Sequence, residues 1–223
     1  MNIKTLLSRI QKTSHTFDVT GLSLNTQSLQ KGDIFVAVQG TQKHGSEFVQ
    51  NAIDKGCIAV LVEDRDIQCS VPSIRINHLS SYLSDLAQTF YKEAQNIKLI
   101  GVTGTNGKTS VSLFISQLLE ALNVRTGVIG TLGISHSDNN TSNTTPDIFT
   151  IYKSLQEYSK KGIEVAIIEA SSHALTQNRL SGLAFEQAIF TNLTQDHLDY
   201  HETMEQYREA KGKLFSNSKA QTV

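Results

Sequence analysis

Between residues 97 and 122 the sequence passes from an apolar strand through a glycine-rich turn into an apolar-striped helix. Ile97, Leu99, Ile100 and Val102 make the strand. Gly104-Thr105-Asn106-Gly107-Lys108-Thr109 makes the turn. Val111, Phe114, Ile115, Leu118, Leu119 and Leu122 then recur at helical spacing. Strand, glycine-rich turn and helix together open a phosphate-binding α/β unit. The glycines let the backbone wrap tightly enough for its amides to point inward, and the helix that starts near Lys108 adds its positive end. In that frame Lys108 is placed to neutralise β- and γ-phosphates, and the Thr109 hydroxyl to ligate Mg²⁺. The strict pattern G-x-x-x-x-G-K-[ST] is not met, because Val102 stands five positions before Gly107 and the glycines fall at Gly101 and Gly104. A bare left-handed turn with a surface lysine is the bland alternative, and the flanking strand and helix argue against it.

The rest of the chain repeats the alternation. Leu22 and Leu24, Ile34 to Val38, Cys57 to Val62, Ser73 to Ile76, Thr126 to Thr131, Val165 to Ile168 and Ala188 to Phe190 read as strands. His44 to Lys55, Leu79 to Ala94, Ile148 to Lys160 and Glu202 to Phe215 read as helices, with Gly56 and Gly162 as stops. Asp138 to Thr145 reads as a polar loop. Strands alternating with helices predict an α/β fold with mostly parallel sheets and flanking helices. Polar Gln95 and Asn96 end the first group, which predicts two domains, 1–96 and 97–223.

Composition narrows the function. A formal net charge of -1 leaves no general basic face for nucleic acid, although a local nest of amides could still take a phosphate. Cys57 and Cys69 are in no Cys-x-x-Cys pair and read as reduced thiols. Met1 to Gln11 lacks the apolar stretch of a secretory signal, and no apolar run is long enough to span a membrane, so a cytoplasmic location is expected.

Two further clusters follow strands. Glu169 ends an apolar strand and opens Glu169-Ala170-Ser171-Ser172-His173, which places its carboxylate where a second metal ligand is needed. Thr191-Asn192-Leu193-Thr194-Gln195-Asp196-His197-Leu198-Asp199 follows another strand, and His197 could ligate a metal through neutral imidazole. Alone, Glu169 is as easily an ordinary strand end, and His197 as easily structural.

Taken in order, Gly104 to Ser110, Asn143-Thr144-Thr145-Pro146, Glu169 to Leu175 and Thr191 to Tyr200 resemble the central ATPase domain of the Mur ligase family. Gly32-Asp33-Ile34-Phe35-Val36-Ala37 resembles a strand of that family's N-terminal UDP-binding domain, so the resemblance runs over nearly the whole chain. The most similar branch adds a diamino acid, lysine or diaminopimelate, to UDP-N-acetylmuramoyl-L-alanyl-D-glutamate in peptidoglycan synthesis. The resemblance implies ATP and Mg²⁺. ATP phosphorylates the D-glutamate carboxylate, and the incoming amine attacks the acyl-phosphate. It implies ATP contacts at Gly104, Thr105, Asn106, Gly107, Lys108, Thr109 and Ser110. It implies one magnesium at Thr109 and another at Glu169 and His197, supported by a carbamylated Lys211 in Ala210-Lys211-Gly212-Lys213. Without the resemblance, Lys211 reads as a solvated helix lysine. Leu24, Thr26, Thr41, Gln42 and Lys43 take the places of uridine-side contacts. Asn143, Thr144, Thr145, Ser171, Gln177 and Arg179 take those of the peptide side, with Arg179 suited to a substrate carboxylate. No nucleic acid and no membrane is implied as a partner.

Two departures shape the expectation. The family's Asp-Ser-Arg before the Gly-Asp strand is here Asn25-Thr26-Gln27, so one hydroxyl remains and the charged pair is gone. The family has three domains, and 223 residues correspond to the first and part of the second, with the C-terminal domain that selects the amine absent. This polypeptide is therefore expected to show no ligase turnover alone. The competing expectation is a short, non-catalytic module that binds a UDP-sugar or ATP. A P-loop switch unrelated to cell walls explains the Gly104 turn but not the Glu169 and Asp196 clusters.

Overall fold

The computed structural model describes residues 1–137 and 143–216, so residues 138–142 of the expected polar loop Asp138 to Thr145 lie outside them. The chain divides into two compact units, Met1–Tyr91 and Lys92–Val223.

The first unit carries a four-stranded parallel sheet of β1 (Leu22–Ser23), β2 (Ile34–Ala37), β3 (Ala59–Glu63) and β4 (Ser73–Ile76), in that order. Every residue of β2 and β3 is buried, which is why both strands are unbroken apolar runs. One face packs Phe35, Val60 and Val62 against Val49, Ala52 and Cys57. Helices α1 (Ile3–Leu6), α2 (Val49–Asp54) and α3 (Leu83–Phe90) complete the unit. Two expected helices are shorter than their periodicity. Gly45–Phe48 is a 3₁₀ turn that precedes α2, and Phe48 is exposed rather than on the buried side. The expected helix Leu79 to Ala94 divides into a 3₁₀ turn (Leu79–Tyr82), α3, and a 3₁₀ turn (Lys92–Asn96), because the backbone at Tyr91 leaves the helical region.

The second unit carries β5 (Lys98–Thr103), α4 (Lys108–Ala121), β6 (Thr126–Gly130), β7 (Gly133–Ile134), α5 (Ile148–Lys160), β8 (Val165–Glu169), α6 (Ser172–Thr176), β9 (Phe185–Phe190), α7 (Leu198–His201) and α8 (Met204–Ser216). The sheet order is β7-β6-β8-β5-β9, parallel except for the β6–β7 hairpin. Because β5, β8 and β9 are adjacent and parallel, their C-terminal ends share one edge of the sheet, the edge where open α/β sheets bind ligands. The register sets Val102 level with Glu169 on one side and with Ile189 on the other.

Helix α4 corrects one expectation. Val111, Ile115 and Leu119 pack on the core formed by Val102, Val165 and Ile167. Phe114, Leu118 and Leu122 are 61%, 67% and 71% exposed. The stripe read from the sequence was wide enough for two faces, and only the one toward the sheet is covered. The expected helix Glu202 to Phe215 starts later, at Met204. Leu198–His201 forms a separate turn, and Glu202 between them has a φ of 62°, outside the helical region.

Candidate functional site

The site sits in the second unit and is built on the turn after β5. Gly104 and Gly107 have φ of +144° and +83°, backbone conformations that side chains strain to adopt. Gly104 is also a close approach, since a Cβ there would lie 1.9 Å from the Thr191 hydroxyl oxygen. That proximity ties the turn to the end of β9. Thr191 Oγ1 donates to Asn106 O at 2.6 Å, Asn192 Nδ2 to the same oxygen at 3.0 Å, and Asn106 N–H to Asn192 Oδ1 at 3.1 Å. The Thr105 hydroxyl accepts from Thr194 N–H at 3.0 Å and bonds Thr194 O at 3.1 Å. The segment after β9 therefore braces the loop.

Two lysines meet at one carbonyl. Lys108 Nζ donates to Gly104 O and Thr105 O, both at 2.9 Å, and Lys211 Nζ donates to Gly104 O at 2.7 Å. Lys108 thus folds back on its own loop rather than reaching outward. Lys211 on α8 is 1% exposed and lies 4.3 Å above the Tyr207 ring, whose hydroxyl bonds Thr105 Oγ1 at 3.2 Å. Desolvation, and then the neighbouring Lys108 charge, push its ammonium down to about 8. Desolvation also lowers Lys108, against the opposing pull of Glu169 and Asp196.

Glu169, at the end of β8, is buried and accepts three hydrogen bonds. They come from Thr109 Oγ1 at 2.9 Å, Thr131 Oγ1 at 3.1 Å and Thr131 N–H at 3.2 Å. Thr109 and Glu169 are therefore partners, where the resemblance implied a different magnesium for each. A hydroxyl and a carboxylate oxygen converging beside a phosphate-type loop form an oxygen donor set that fits Mg²⁺. Among the described residues, no three or more His, Cys, Asp or Glu side chains are grouped to hold a metal.

The remaining predicted residues of this unit form a second arm beside Glu169. Thr145 Oγ1 donates to Glu169 O at 2.6 Å and accepts from Ser171 N–H at 3.0 Å. Thr144 accepts from Thr131 Oγ1 at 3.1 Å, and Asn143 precedes it in an exposed position. Arg179 Nη1 donates to Thr145 O at 2.7 Å. Its Nε and Nη2 donate to Gln177 Oε1 at 3.0 and 2.6 Å, so the guanidinium is already engaged inside the protein. Ser110 is exposed on the first turn of α4.

His197 is half-exposed, with Nε2 3.7 Å from Asp196 Oδ2, and belongs to an aromatic group that sequence reasoning did not single out. Its ring lies 4.9 Å from His173 and 6.2 Å from Tyr207, and His201 packs on both His173 and Tyr207. His201 is buried and its Nε2 has no hydrogen-bond partner. Burial, then neighbouring positive charge, lowers the pKa of His173 and His201.

In the first unit, Leu24 and Thr26 follow β1, and Thr41, Gln42 and Lys43 lie in an exposed turn closed by Gly40 N–H donating to Lys43 O at 2.9 Å. Lys43 pairs with Glu47 at 3.3 Å, and Lys55 Nζ donates to Thr26 O at 2.7 Å.

Comparison with known proteins gives the family. The Mur ligase middle domain matches residues 102–223, and the Mur ligase family catalytic domain matches residues 18–91. A UDP-N-acetylmuramoyl-L-alanyl-D-glutamate--2,6-diaminopimelate ligase of Bacillus velezensis is 39% identical over 93% of this chain and 43% of its own length. The ligase of the same name from Pseudomonas putida is 42% identical over 87% of this chain and 41% of its own. A solved structure of such a ligase superposes with a TM-score of 0.79 at 31% identity, covering 99% of this chain and 47% of that one. A MurF ligase from Thermotoga maritima in complex with ADP shares the fold, with a TM-score of 0.58 at 24% identity over 90% of this chain and 44% of that one. The chain spans somewhat less than half the length of these relatives. No helix among the described residues is long and apolar enough to cross a membrane.

Proposed function

The chain belongs to the Mur ligase family, and on that premise we propose that it is the nucleotide-binding part of an ATP-dependent ligase of peptidoglycan precursor synthesis. That ligase joins a diamino acid, diaminopimelate by the names of the relatives, to UDP-N-acetylmuramoyl-L-alanyl-D-glutamate. The observation that carries the reading is the Thr109–Glu169 pair at the C-terminal edge of β5 and β8, with the Lys108 ammonium held on the adjoining glycine turn.

ATP phosphates lie on the Gly104–Gly107 amides, and Lys108 exchanges its two carbonyl bonds for phosphate oxygens. Thr109 and Glu169 hold Mg²⁺, which neutralises phosphate charge when bound. Arg179, released from Gln177, pairs with the substrate carboxylate that accepts the γ-phosphoryl group, with Thr144, Thr145, Ser171 and Asn143 around it. The amine then attacks the carbonyl carbon of the acyl-phosphate: the C–N bond forms, the bond to phosphate breaks, inorganic phosphate leaves, and the amine gives up a proton. His197 and, if carbamylated, Lys211 would complete the metal side. An amine with a pKa of about 8 is far more often neutral near neutral pH than an ordinary lysine, and only the neutral amine adds CO₂. Carbamylation would also remove the repulsion between the two lysines at Gly104 O. The first unit binds the uridine end through Leu24, Thr26, Thr41, Gln42 and Lys43, with residues 1–96 as that domain and 97–223 as the ATP-binding domain. The enzyme works in the cytoplasm on soluble substrates.

Calorimetric titration of the chain with ADP and Mg²⁺, and separately with the UDP-muramoyl dipeptide, tests the reading. Saturable binding of both is expected. Absence of nucleotide binding in a folded sample would refute it.

A further inference from the structure

His197 opens α7 in the left-handed region, one of several non-glycine residues of this chain with positive φ. Its φ of 53° and ψ of 31° are left-handed, and its side chain makes no capping bond to the turn it opens. Exposed His78 opens its own 3₁₀ turn in the same region, so the backbone conformation needs no special support; what sets His197 apart is that its ring is packed. That packing is traceable. His197 O accepts the N–H of Tyr200 at 3.1 Å and of His201 at 3.0 Å, so α7 folds back over it. The Tyr200 ring lies 4.1 Å from the His173 ring, tilted by 37°. The His173 ring meets the His197 ring edge-on, at 4.9 Å and 86°. The circuit is closed: backbone from His197 to Tyr200, ring to ring onto His173 of α6, ring to ring back to His197.

The same circuit has one polar exit. The Tyr200 hydroxyl accepts from Gln177 Nε2 at 3.3 Å, and Gln177 Oε1 holds Arg179. The arm assigned to the substrate carboxylate, which includes Gln177, and the histidine assigned to the metal side are therefore joined through Tyr200 and His173, to which neither role has been given.

We propose that His173 and Tyr200 are positioning residues that clamp the His197 ring and fix the direction of its imidazole. This rests on the reading that His197 serves the magnesium side of the site. The clamp works through ring contact, so an aromatic ring without nitrogen replaces His173, whereas a methyl group does not.

The test uses the full chain with labelled histidine, observed by imidazole carbon–proton correlation without nucleotide or metal. Exposed His78 is the internal reference. In the wild type the His197 ring signals are displaced from those of His78 by the neighbouring rings. His173→Ala moves them toward the His78 position, with the Tyr207 ring still 6.2 Å away, and His173→Phe keeps them displaced. Tyr200→Leu, at a half-buried site outside the core, broadens or moves them and serves as the second variant if His173→Ala does not fold. The second readout is Mn²⁺ affinity in the presence of ADP, expected to fall about tenfold in His173→Ala and to recover in His173→Phe. Unmoved His197 signals in folded His173→Ala or Tyr200→Leu protein would overturn the clamp. A wild type that shows displaced His197 signals yet binds no Mn²⁺ with ADP would overturn the ligase reading and leave the clamp standing.

Discussion

Replacing Lys211 by Met removes a buried ammonium while keeping a long, flexible side chain. The wild-type penalty follows from its ionisation. In the fold the group titrates near 8, and in the unfolded chain near 10.5. Below pH 8 both states hold the proton, and the fold bears the whole cost of burying the charge. Between the two values the folded protein has released the proton while the unfolded chain still binds it, so stability rises with pH. Above 10.5 neither state is charged and the cost is gone. The interval corresponds to about 3 kcal/mol, of which about 2.5 kcal/mol falls between about pH 7 and about pH 10. Urea unfolding of wild type and Lys211→Met across that range, in buffer free of metal and CO₂, isolates the effect. Lys108 and every other titrating group are common to both proteins and largely cancel. The wild type should gain about 2.5 kcal/mol on the variant as pH rises. The Gly104 carbonyl is not orphaned in the variant, because Lys108 Nζ still donates to it at 2.9 Å. Parallel stability curves would mean that the ammonium is not held in the buried position from which this magnitude was derived.

Lys108→Ala should leave the fold intact, since Lys211 still serves Gly104 O, but lower ADP affinity by about 10- to 100-fold, the worth of one charge-assisted phosphate contact; calorimetry reads it. Gly104→Ala should cost about 3 kcal/mol in denaturant unfolding, combining a strained φ of +144° with a Cβ 1.9 Å from Thr191 Oγ1. Leu118→Ser should change stability by less than about 0.5 kcal/mol, whereas Leu119→Ser, one position along on the covered face, should cost about 2 kcal/mol or more; paired urea titrations decide. Tyr158→Phe should cost about 1 kcal/mol, because its hydroxyl bonds Val128 O and Ser135 Oγ, both at 3.1 Å.

Elements whose apolar pattern is long or bounded by glycine were legible in the sequence. Helix α5 ends at Lys160, where Gly162 with its φ of +70° closes it, and β4 matches its expected range. What misled was periodicity without a boundary. Leu79 to Ala94 keeps a helical spacing of apolar residues, yet Tyr91 leaves the helical region between α3 and the next turn. The spacing describes one buried side and not the continuity of the backbone. On α4 the spacing could not rank two adjacent apolar faces, because the sheet that covers one of them is assembled from strands remote in sequence.

At the site, the order of strands explains what was legible. The glycine turn, Glu169 and the Thr191 segment each follow an apolar strand, and a parallel sheet must bring such strand ends to one edge. What the sequence does not encode locally is which of these groups touch: Thr109 meeting Glu169 follows from the β5–β8 register, 60 residues apart along the chain. Lys211 is an intermediate case. As one lysine beside another in Ala210-Lys211-Gly212-Lys213 it looks solvated. Tyr207, Ala210 and Leu214, however, lie four before, one before and three after it, and all three are buried. Helical spacing puts Lys211 on their face and Lys213 off it. A lysine on the apolar stripe of an amphipathic helix must bury its amine or snorkel, and at the centre of α8, under the Gly104 turn, no path to water is open to it. The stripe thus placed Lys211 on the buried face, but that its amine is buried instead of snorkelling, and which carbonyl it shares with Lys108, required the fold.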